Sequence, residues 1–241
     1  MGNTKRNISN SYSSTRIVIS QDLLVLYVVE NDKYDEVIKN TIEIEKEAMY
    51  DVLVLLSSND PSVVQLFEEK QINYLSVNDT DLQTKLKRGF EYAINHGYKF
   101  VVQFDDDGQY NWKEIVNLHQ KALKGNNDVV IGDRIGNQSF TITKPNKKVS
   151  QALRAFASLQ IKDALCFFRL FNDNAIKVYL SESFSSFDPA SYFYLKKKVE
   201  LKFDFQPVSI KKDNQSWENQ RTNSLSYATK QWTKILFGNV K

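Results

Sequence analysis

The sequence predicts an α/β fold with a mostly parallel central sheet and helices on both faces. Short apolar runs rich in β-branched and aromatic residues recur along the chain, as buried parallel strands require. Segments with the apolar spacing of amphipathic helices separate these runs. Four such strand–helix units follow one another before the regularity ends after Gly132, and this alternation is typical of a parallel sheet.

The first four units are defined by their apolar patterns and by local start and stop signals. Strands are predicted at residues 23–29, 51–56, 72–77 and 99–104. Helices are predicted at residues 34–49, from Asp60-Pro61 onward, and at 82–95 and 112–123. Asp60-Pro61 has the cap and first-turn proline of a helix start, and Gly97 and Gly125 provide helix stops.

The second half of the chain is less regular. A strand is expected at residues 128–131, and the polar segment Gly136–Lys148 is expected to be a mobile loop that closes over a phosphate-bearing ligand or has no role. Further elements are predicted as helices at 149–159, 188–198 and 227–237, and strands at 166–171, 199–205 and 208–210. Residues 1–15 are polar and expected to be disordered, which leaves a single domain at 16–241.

Composition excludes several classes of protein. The single cysteine, Cys166, excludes an intramolecular disulfide, and two histidines leave little for a histidine-based zinc site. A net charge of +3 is too small to indicate a nucleic-acid partner. No long apolar segment or export signal is present, so a cytoplasmic location is expected.

The predicted C-terminal helix carries aromatic residues with lysines beside them, as an interfacial helix does. This pattern leaves open a peripheral contact with the inner membrane face, a contact with a partner protein, or packing into the core.

The most informative local feature is Asp105-Asp106-Asp107, which closes the apolar strand 99–104. Carboxylates at the carboxyl end of such a strand lie where open α/β sheets bind ligands. Three neighbouring carboxylates repel one another unless a cation compensates their negative charge. Mg²⁺ and Mn²⁺ prefer oxygen ligands and usually bind substrate phosphates as well, so the segment predicts a metal–phosphate site. The alternative is a solvated acidic turn that caps the next helix, with Asp107 or Asn111 at the cap.

Four separated motifs resemble those of the family-2 glycosyltransferases, and among them the polyprenol-phosphate sugar synthases such as dolichol-phosphate mannose synthase. Residues 101–110, VVQFDDDGQY, are similar to the family's metal-binding D-x-D followed by Gly-Gln. Residues 128–134, DVVIGDR, are similar to a strand that ends in Gly-Ser-Arg. Residues 163–170, DALCFFRL, and 221–226, RTNSLS, resemble the later motifs, with Phe167 and Ser224 in place of glycine.

The resemblance implies a GT-A, Rossmann-like fold and transfer of a sugar from a nucleotide-sugar donor, with inversion, to a lipid-phosphate or glycan acceptor. It assigns Asp105, Asp107 and Gln109 to a Mg²⁺ or Mn²⁺ ion that bridges the donor diphosphate. It further assigns donor or phosphate binding to a set of one acidic and three basic residues: Asp106, Arg134, Arg169 and Arg221. The alternative for Arg134 is a surface arginine at a strand end.

The sequence departs from the family where the nucleoside binds. The acidic pair expected after the second strand is replaced by Leu55-Leu56, and the glycines expected before the third helix are missing. Glycine is scarce throughout, at 8 of 241 residues, although close approach of backbone to a nucleotide favours glycine. Two interpretations follow: an active transferase with altered base recognition, or a non-catalytic partner of an active glycosyltransferase. A nucleotidyltransferase is a third class, but the segment after the first strand lacks the glycine-rich loop it would show.

Asp188 is the candidate catalytic base, because hydroxyl-using relatives carry an acidic residue at the corresponding place. A lipid-phosphate acceptor would need no base, whereas a sugar hydroxyl would. The competing interpretation is that Asp188 caps the helix predicted at 188–198, with Pro189 at its first position.

Overall fold

The computed structural model of the protein describes residues 22–30, 32–57, 60–77, 81–135, 140–181, 187–211 and 224–237. These residues form seven strands of one sheet: β1 (Leu23–Val28), β2 (Asp51–Leu56), β3 (Tyr74–Ser76), β4 (Phe100–Asp105), β5 (Val129–Asp133), β6 (Arg169–Asn172) and β7 (Phe203–Pro207).

The described helices surround this sheet. They are α1 (Tyr34–Glu43), α2 (Pro61–Glu69), α3 (Leu82–Asn95), α4 (Glu114–Gly125), α5 (Lys144–Ala157), α6 (Asp173–Ser181), α7 (Ser191–Lys197) and α8 (Leu225–Phe237). A π-helical turn, Ile44–Ala48, extends α1 and ends at Met49, whose φ of 57° is left-handed. No described helix is both long enough and apolar enough to cross a bilayer.

The strand order is β3-β2-β1-β4-β6-β5-β7. All pairings are parallel except those of β6, which runs antiparallel to both β4 and β5. The predicted α/β class with a mostly parallel sheet is therefore confirmed. The chain builds outward from β1 to β3 and then returns to the other side of β1 with β4. Such a reversal opens a crevice at the carboxyl ends of β1 and β4, where ligands bind in open α/β sheets.

The core follows from strands that are covered on both faces. Every residue of β1 is buried, from Leu23 to Val28, which explains its unbroken apolar sequence. Helix α3 contributes Leu86, Phe90 and Ala93 from its inner face, as its spacing predicts. Gly89 lies on that face against Leu26, because a Cβ at this position would come within 2.6 Å of the leucine side chain.

Part of the segment predicted as a mobile loop is helical. Helix α5 begins at Lys144, not at residue 149, because the Thr143 side chain accepts a hydrogen bond from the Asn146 amide and Pro145 occupies the first turn. The prediction of a loop through Lys148 is therefore wrong for residues 144–148. Residues 136–139 lie outside the described residues, as do 1–15.

Several other elements differ from the sequence prediction. Helix α4 and strand β7 begin later in the chain than predicted, and of the strand predicted at 208–210 only an isolated bridge at Ile210 forms. Helix α6 directly follows β6 without a turn signal and was not predicted. Strand β6 begins at Arg169 instead of residue 166. Helix α7 begins at Ser191, and its N-cap residue Ala190 offers no side-chain cap. The prediction that Asp188 caps this helix through its side chain is wrong, although its backbone carbonyl accepts a hydrogen bond from the Ser191 amide.

Candidate functional site

The three aspartates lie at the carboxyl end of β4, beside the end of β1. Asp105 pairs in register with Val28, so the acidic segment borders the crevice between these strands. The Asp106 amide donates to the Val28 carbonyl at 3.1 Å, and the Asp106 carboxylate accepts from the Glu30 amide at 3.1 Å. All three aspartates are buried. They are therefore not a solvated acidic turn.

Asp105 is a buried carboxylate with little compensation. Its Oδ1 accepts one hydrogen bond from Gln103 Nε2 at 3.3 Å, and its buried Oδ2 accepts none from the described residues. Burial raises the pKa of Asp105 well above its usual range, and the nearby charge of Asp107 raises it further. An ionised pair at this position needs a cation, so Asp105 and Asp107 fit a divalent metal in charge and ligand type.

The turn after β4 is shaped by Asp107 and Gly108. Asp107 Oδ1 accepts from the Gln109 amide at 2.8 Å, and Gly108 has a φ of 71°, which favours glycine. The turn buries the Gln109 side chain. Within the described residues, no group of three or more histidine, cysteine, aspartate or glutamate side chains could by itself hold a metal. Two carboxylates would thus leave most of the coordination shell to ligand oxygens and water.

Arg134, predicted to bind phosphate, is fully buried behind this turn. Its Nη1 donates to Gln109 Oε1 at 3.0 Å, and its Nη2 donates to the Leu165 carbonyl at 2.9 Å. It also forms an ion pair with Asp163, which is buried as well. Arg134 is therefore not a surface arginine. Gln109, which the resemblance assigns to the metal, already accepts from this guanidinium through its side-chain Oε1.

Asp163 is a central acceptor of this region, although sequence reasoning gave it no role of its own. Its carboxylate accepts from the Arg134 side chain, from the Arg134 amide at 3.2 Å and from Asn146 Nδ2 at 2.6 Å. Asn146 in turn accepts from Ser150 at 3.2 Å. This network fixes the first turn of α5 to the end of β5. The signal available in the sequence was the position of Asp163 at the start of the third motif.

Arg169, also predicted to bind phosphate, is buried within the sheet. Its Nη2 donates to Gln103 Oε1 at 2.6 Å, and its Nη1 donates to the Phe187 carbonyl at 2.7 Å and to the Tyr192 hydroxyl at 2.9 Å. It forms no ion pair within the described residues. Gln103 therefore connects the Arg169 guanidinium to the Asp105 carboxylate. A glutamine inside the otherwise apolar strand 99–104 was the sequence signal for this connection.

Asp188, the candidate base, is attached to the C-terminal helix. Its Oδ2 accepts from Lys234 Nζ at 2.8 Å and from Gln231 Nε2 at 2.9 Å. Its Oδ1 is buried and accepts no hydrogen bond from the described residues. The preceding residue, Phe187, is held by Arg169, so the Phe187–Asp188 turn is connected to Asp105 through Arg169 and Gln103.

The opposite side of the crevice lacks a carboxylate on β2. Leu55 and Leu56 are both fully buried in the core. Instead, the buried Lys85 reaches from α3 to the end of β1, where it donates to the Val29 carbonyl at 3.3 Å and pairs with Glu30. Sequence reasoning missed this pair because Lys85 lies on the inner face of an amphipathic helix, where an apolar residue is expected. Arg221 lies outside the described residues.

Comparison with known proteins finds similar folds among solved structures. No protein-family model and no curated protein matches the chain. Solved structures do match. Glucosyl-3-phosphoglycerate synthase from Mycobacterium tuberculosis, in complex with Mn²⁺, uridine diphosphate and phosphoglyceric acid, has a TM-score of 0.60 at 12% identity, over 90% of this chain and 78% of that one.

Two further matches cover nearly the whole of the other protein. A protein described as a nucleotide-diphospho-sugar transferase from Desulfovibrio desulfuricans G20 has a TM-score of 0.53 at 13% identity, over 90% of this chain and 99% of that one. The 4-diphosphocytidyl-2C-methyl-D-erythritol synthase of Anaerococcus prevotii has a TM-score of 0.50 at 11% identity, over 89% and 98%. At such identities the matches establish the fold alone, a GT-A-like α/β fold that all three proteins share.

Proposed function

We propose that the protein is a metal-dependent glycosyltransferase that moves a sugar from a nucleotide-sugar donor to a lipid-phosphate or glycan acceptor. The observation that carries the proposal is the pair Asp105 and Asp107, buried at the carboxyl end of β4 beside the crevice of the sheet. Structures of the matched M. tuberculosis synthase contain Mg²⁺ or Mn²⁺ together with uridine diphosphate, which supports a cation and a nucleoside diphosphate as the ligands here.

In this proposal Asp105 and Asp107 hold Mg²⁺ or Mn²⁺, with Gln109 close by. A bound cation would supply charge neutralisation for the leaving nucleoside diphosphate. Asp106 contributes differently, since it joins the ends of β1 and β4 through its backbone and side chain. It thereby fixes the width of the crevice beside the donor.

The two buried arginines support the site through hydrogen bonds to its side chains. Arg134 orients Gln109, and Arg169 orients Gln103, which in turn donates to Asp105. A positive charge close to Asp105 favours its ionised form, which is the form that a metal needs. Direct contact with donor or acceptor phosphate is proposed for Arg221, because a guanidinium suits phosphate geometry. Arg134 and Arg169 are buried and donate to protein groups, so their role in the proposal is to position other residues.

A base is required only for a hydroxyl acceptor, and Asp188 is then the candidate. Lys234 donates to Oδ2, while Oδ1 is buried and accepts no hydrogen bond from the described residues. With a lipid-phosphate acceptor, the same Asp188–Lys234 pair would only attach α8 to the site.

The alternative is a protein that keeps the fold but acts as a non-catalytic partner of an active glycosyltransferase. The observation that favours it is the absence of a carboxylate at Leu55-Leu56, together with the Lys85–Glu30 pair at the end of β1. A charged hydrogen bond to a ligand contributes roughly 1.5–3 kcal/mol, so loss of a base-binding carboxylate weakens nucleotide affinity. A nucleotidyltransferase remains a third class, since one of the matched structures is a 4-diphosphocytidyl-2C-methyl-D-erythritol synthase.

Thermal unfolding with nucleoside diphosphates and nucleotide sugars, with and without Mn²⁺, tests the proposal. A ligand at about 100 times its dissociation constant stabilises a protein by roughly 2.7 kcal/mol. We expect stabilisation by a diphosphate only with Mn²⁺, and none in Asp107→Asn. The matched control is Asp173→Asn, which removes an exposed carboxylate paired with Lys177.

Measurement of turnover distinguishes an active glycosyltransferase from a non-catalytic partner. An enzyme should hydrolyse or transfer from at least one nucleotide sugar, and Asp107→Asn should abolish this while preserving the fold. Activity that appears only in a complex with a second transferase, and that survives Asp107→Asn, would instead support the non-catalytic partner. Equal Mn²⁺ binding by the wild type and an Asp105→Ala, Asp107→Ala variant, measured by calorimetry with uridine diphosphate, would contradict the metal site itself.

A further inference from the structure

Helices α5, α7 and α8 contain no acidic residue. They pack together, since α5 contacts both α7 and α8. The other described helices each contain at least one acidic residue. The basic residues of the three helices are Lys144, Lys147, Lys148, Arg154, Lys196, Lys197, Lys230 and Lys234. In a chain with 29 acidic residues and a net charge of only +3, this is a marked separation of charge.

Exposed apolar side chains lie on the same helices. On α8, Leu225, Trp232 and Leu236 follow the i, i+7, i+11 spacing of one helical face, and Trp232 and Leu236 are 38% and 41% exposed. Phe237 at the end of the helix is 72% exposed. Phe156 of α5 is 40% exposed and meets the Trp232 ring edge-on, with 5.9 Å between ring centroids. The aromatic surface therefore continues from α8 to α5.

The neighbouring face of α8, about 90° around the helix, is fixed to the protein. Ala228, Gln231 and Ile235 are buried, and Gln231 accepts from the Ala190 amide at 3.1 Å. Lys234 pairs with Asp188. These contacts leave the Trp232 face of α8 directed outward, so its apolar side chains are not part of the core.

Most of the surrounding basic groups have no acidic partner. Lys144, Lys147, Lys148, Arg154 and Lys230 are exposed or nearly so, and none forms an ion pair within the described residues. Two acidic side chains border the region among the described residues: Asp188 pairs with Lys234 of α8, and Glu200 lines a groove of about 290 Å³ between α5 and α7, together with Lys196 and Lys197. Glu200 lies beside α7, so the exposed surface of α5 and α8 remains basic.

We propose that this surface, formed by Phe156, Trp232, Leu236 and Phe237 with the exposed lysines Lys144, Lys147, Lys148 and Lys230, docks on an anionic lipid bilayer. Aromatic rings suit the boundary between head groups and acyl chains, while lysines beside them contact anionic head groups. The charge separation favours this partner over a protein interface, which is depleted in lysine at its core. The proposal does not depend on the glycosyltransferase activity.

The basic N-terminal end of α5 is also linked to the candidate site through side-chain contacts. The first turn of α5 carries Lys144 and Asn146, and Asn146 is bonded to Asp163, which pairs with Arg134. Arg134 contacts Gln109 at the turn after β4. The basic N-terminal end of α5 is thus connected to the site through three side-chain contacts.

Flotation of the full chain with lipid vesicles tests the proposal. Vesicles of phosphatidylcholine with about one third phosphatidylglycerol are compared with pure phosphatidylcholine at low and high salt. We expect binding to the anionic vesicles that weakens as salt rises, because exposed charges are screened. Trp232→Ser with Phe237→Ser should weaken it at least tenfold. Lys144→Gln, Lys147→Gln and Lys148→Gln together should weaken it by roughly a hundredfold, at about fivefold per lysine.

The matched control is Leu123→Ser on α4, which removes an apolar side chain that is 56% exposed elsewhere. It should bind as the wild type does. Unchanged melting temperatures would show that the variants fold, and the lysine variant provides a second test that leaves the apolar surface intact. Absence of binding to anionic vesicles at low salt, or equal binding by all variants, would overturn the proposal. So would a dimer in sedimentation that Trp232→Ser dissociates, because the surface would then be a contact between copies of the chain.

Discussion

The guanidinium of Arg134 and the carboxylate of Asp163 form a buried bidentate ion pair, with Nε to Oδ2 at 2.7 Å and Nη2 to Oδ1 at 2.9 Å. The two residues are 29 positions apart, and their pairing joins the end of β5 to the segment that precedes β6. Because both groups are almost completely buried, removal of one leaves the other without compensation.

Arg134→Met should therefore destabilise the protein strongly. Removal of one partner of a buried ion pair reduces the free energy of unfolding by about 3–5 kcal/mol. Urea unfolding measures the change. The control is Arg88→Met, whose arginine is 56% exposed and pairs with Glu91 on the surface of α3, so its effect should stay below about 1 kcal/mol. An Arg134→Met variant as stable as this control would show that the buried pair contributes little.

Asp105→Asn should stabilise the protein when no metal is present. Burial and the Asp107 charge raise the pKa of Asp105, so its ionised form is unfavourable in the folded state at neutral and alkaline pH. Asparagine keeps an oxygen that can accept from Gln103 and removes the charge. We expect a gain of about 0.5–2 kcal/mol in chemical unfolding at pH 8 with a chelator. A loss of stability under these conditions would mean that Asp105 is compensated by groups other than a metal.

Gly89→Ala should destabilise through overpacking. The added Cβ would lie 2.6 Å and 2.9 Å from the two Cδ atoms of Leu26 in β1. Extra atoms in a packed core destabilise by about 1–3 kcal/mol. Leu26→Val in the same chain should recover part of this loss by removing those contacts. Gly97→Ala is the comparison, since no atom lies within 4 Å of its Cβ position and its effect comes only from the φ of 80°. If Leu26→Val gives no recovery, the clash is not the cause.

His119 should make stability depend on pH. Burial lowers the pKa of His119, with a smaller opposing effect of Asp22, and the Tyr50 hydroxyl contacts its Nδ1 at 3.0 Å. As pH falls below about 6.5, the unfolded chain takes up the proton first, so the free energy of unfolding decreases down to the folded pKa. His119→Gln should flatten this part of the pH profile. A pH profile that His119→Gln leaves as steep as in the wild type would contradict this role of His119.

The parts of the fold that the sequence predicted well are those with local signals. Helix α3 was predicted with its observed bounds, because Asp81 caps its start by accepting from the Thr84 amide and Gly97 ends it with a positive φ. Asp60 caps α2 in the same way, through the Ser62 amide. Such signals lie within a few residues of the boundary they set.

The parts that could not be predicted depend on contacts between distant residues. The direction of β6 is set by its neighbours in the sheet. A short apolar strand has the same sequence pattern whether it pairs parallel or antiparallel, so the sequence could not predict this direction. Gln103 and Arg169 are 66 residues apart, and Glu30 and Lys85 are 55 apart. The sequence placed the three aspartates correctly at the end of β4, but the partners of the nearby arginines are set by the folded chain. The metal and phosphate roles remain predictions.

The four-residue strand β6 also determines how the two parts of the sheet assemble. It is the element through which β4 bonds to the β5–β7 pair. Strands in a sheet lie about 4.8 Å apart, so without β6 a gap of roughly 9.6 Å would separate β4 from β5, with an unpaired edge on each side. The amides of β5 should therefore exchange with solvent hydrogen together with those of β6, as one cooperative unit. In a chain still emerging from the ribosome, both β4 and β5 would present open edges until residues 169–172 had been synthesised.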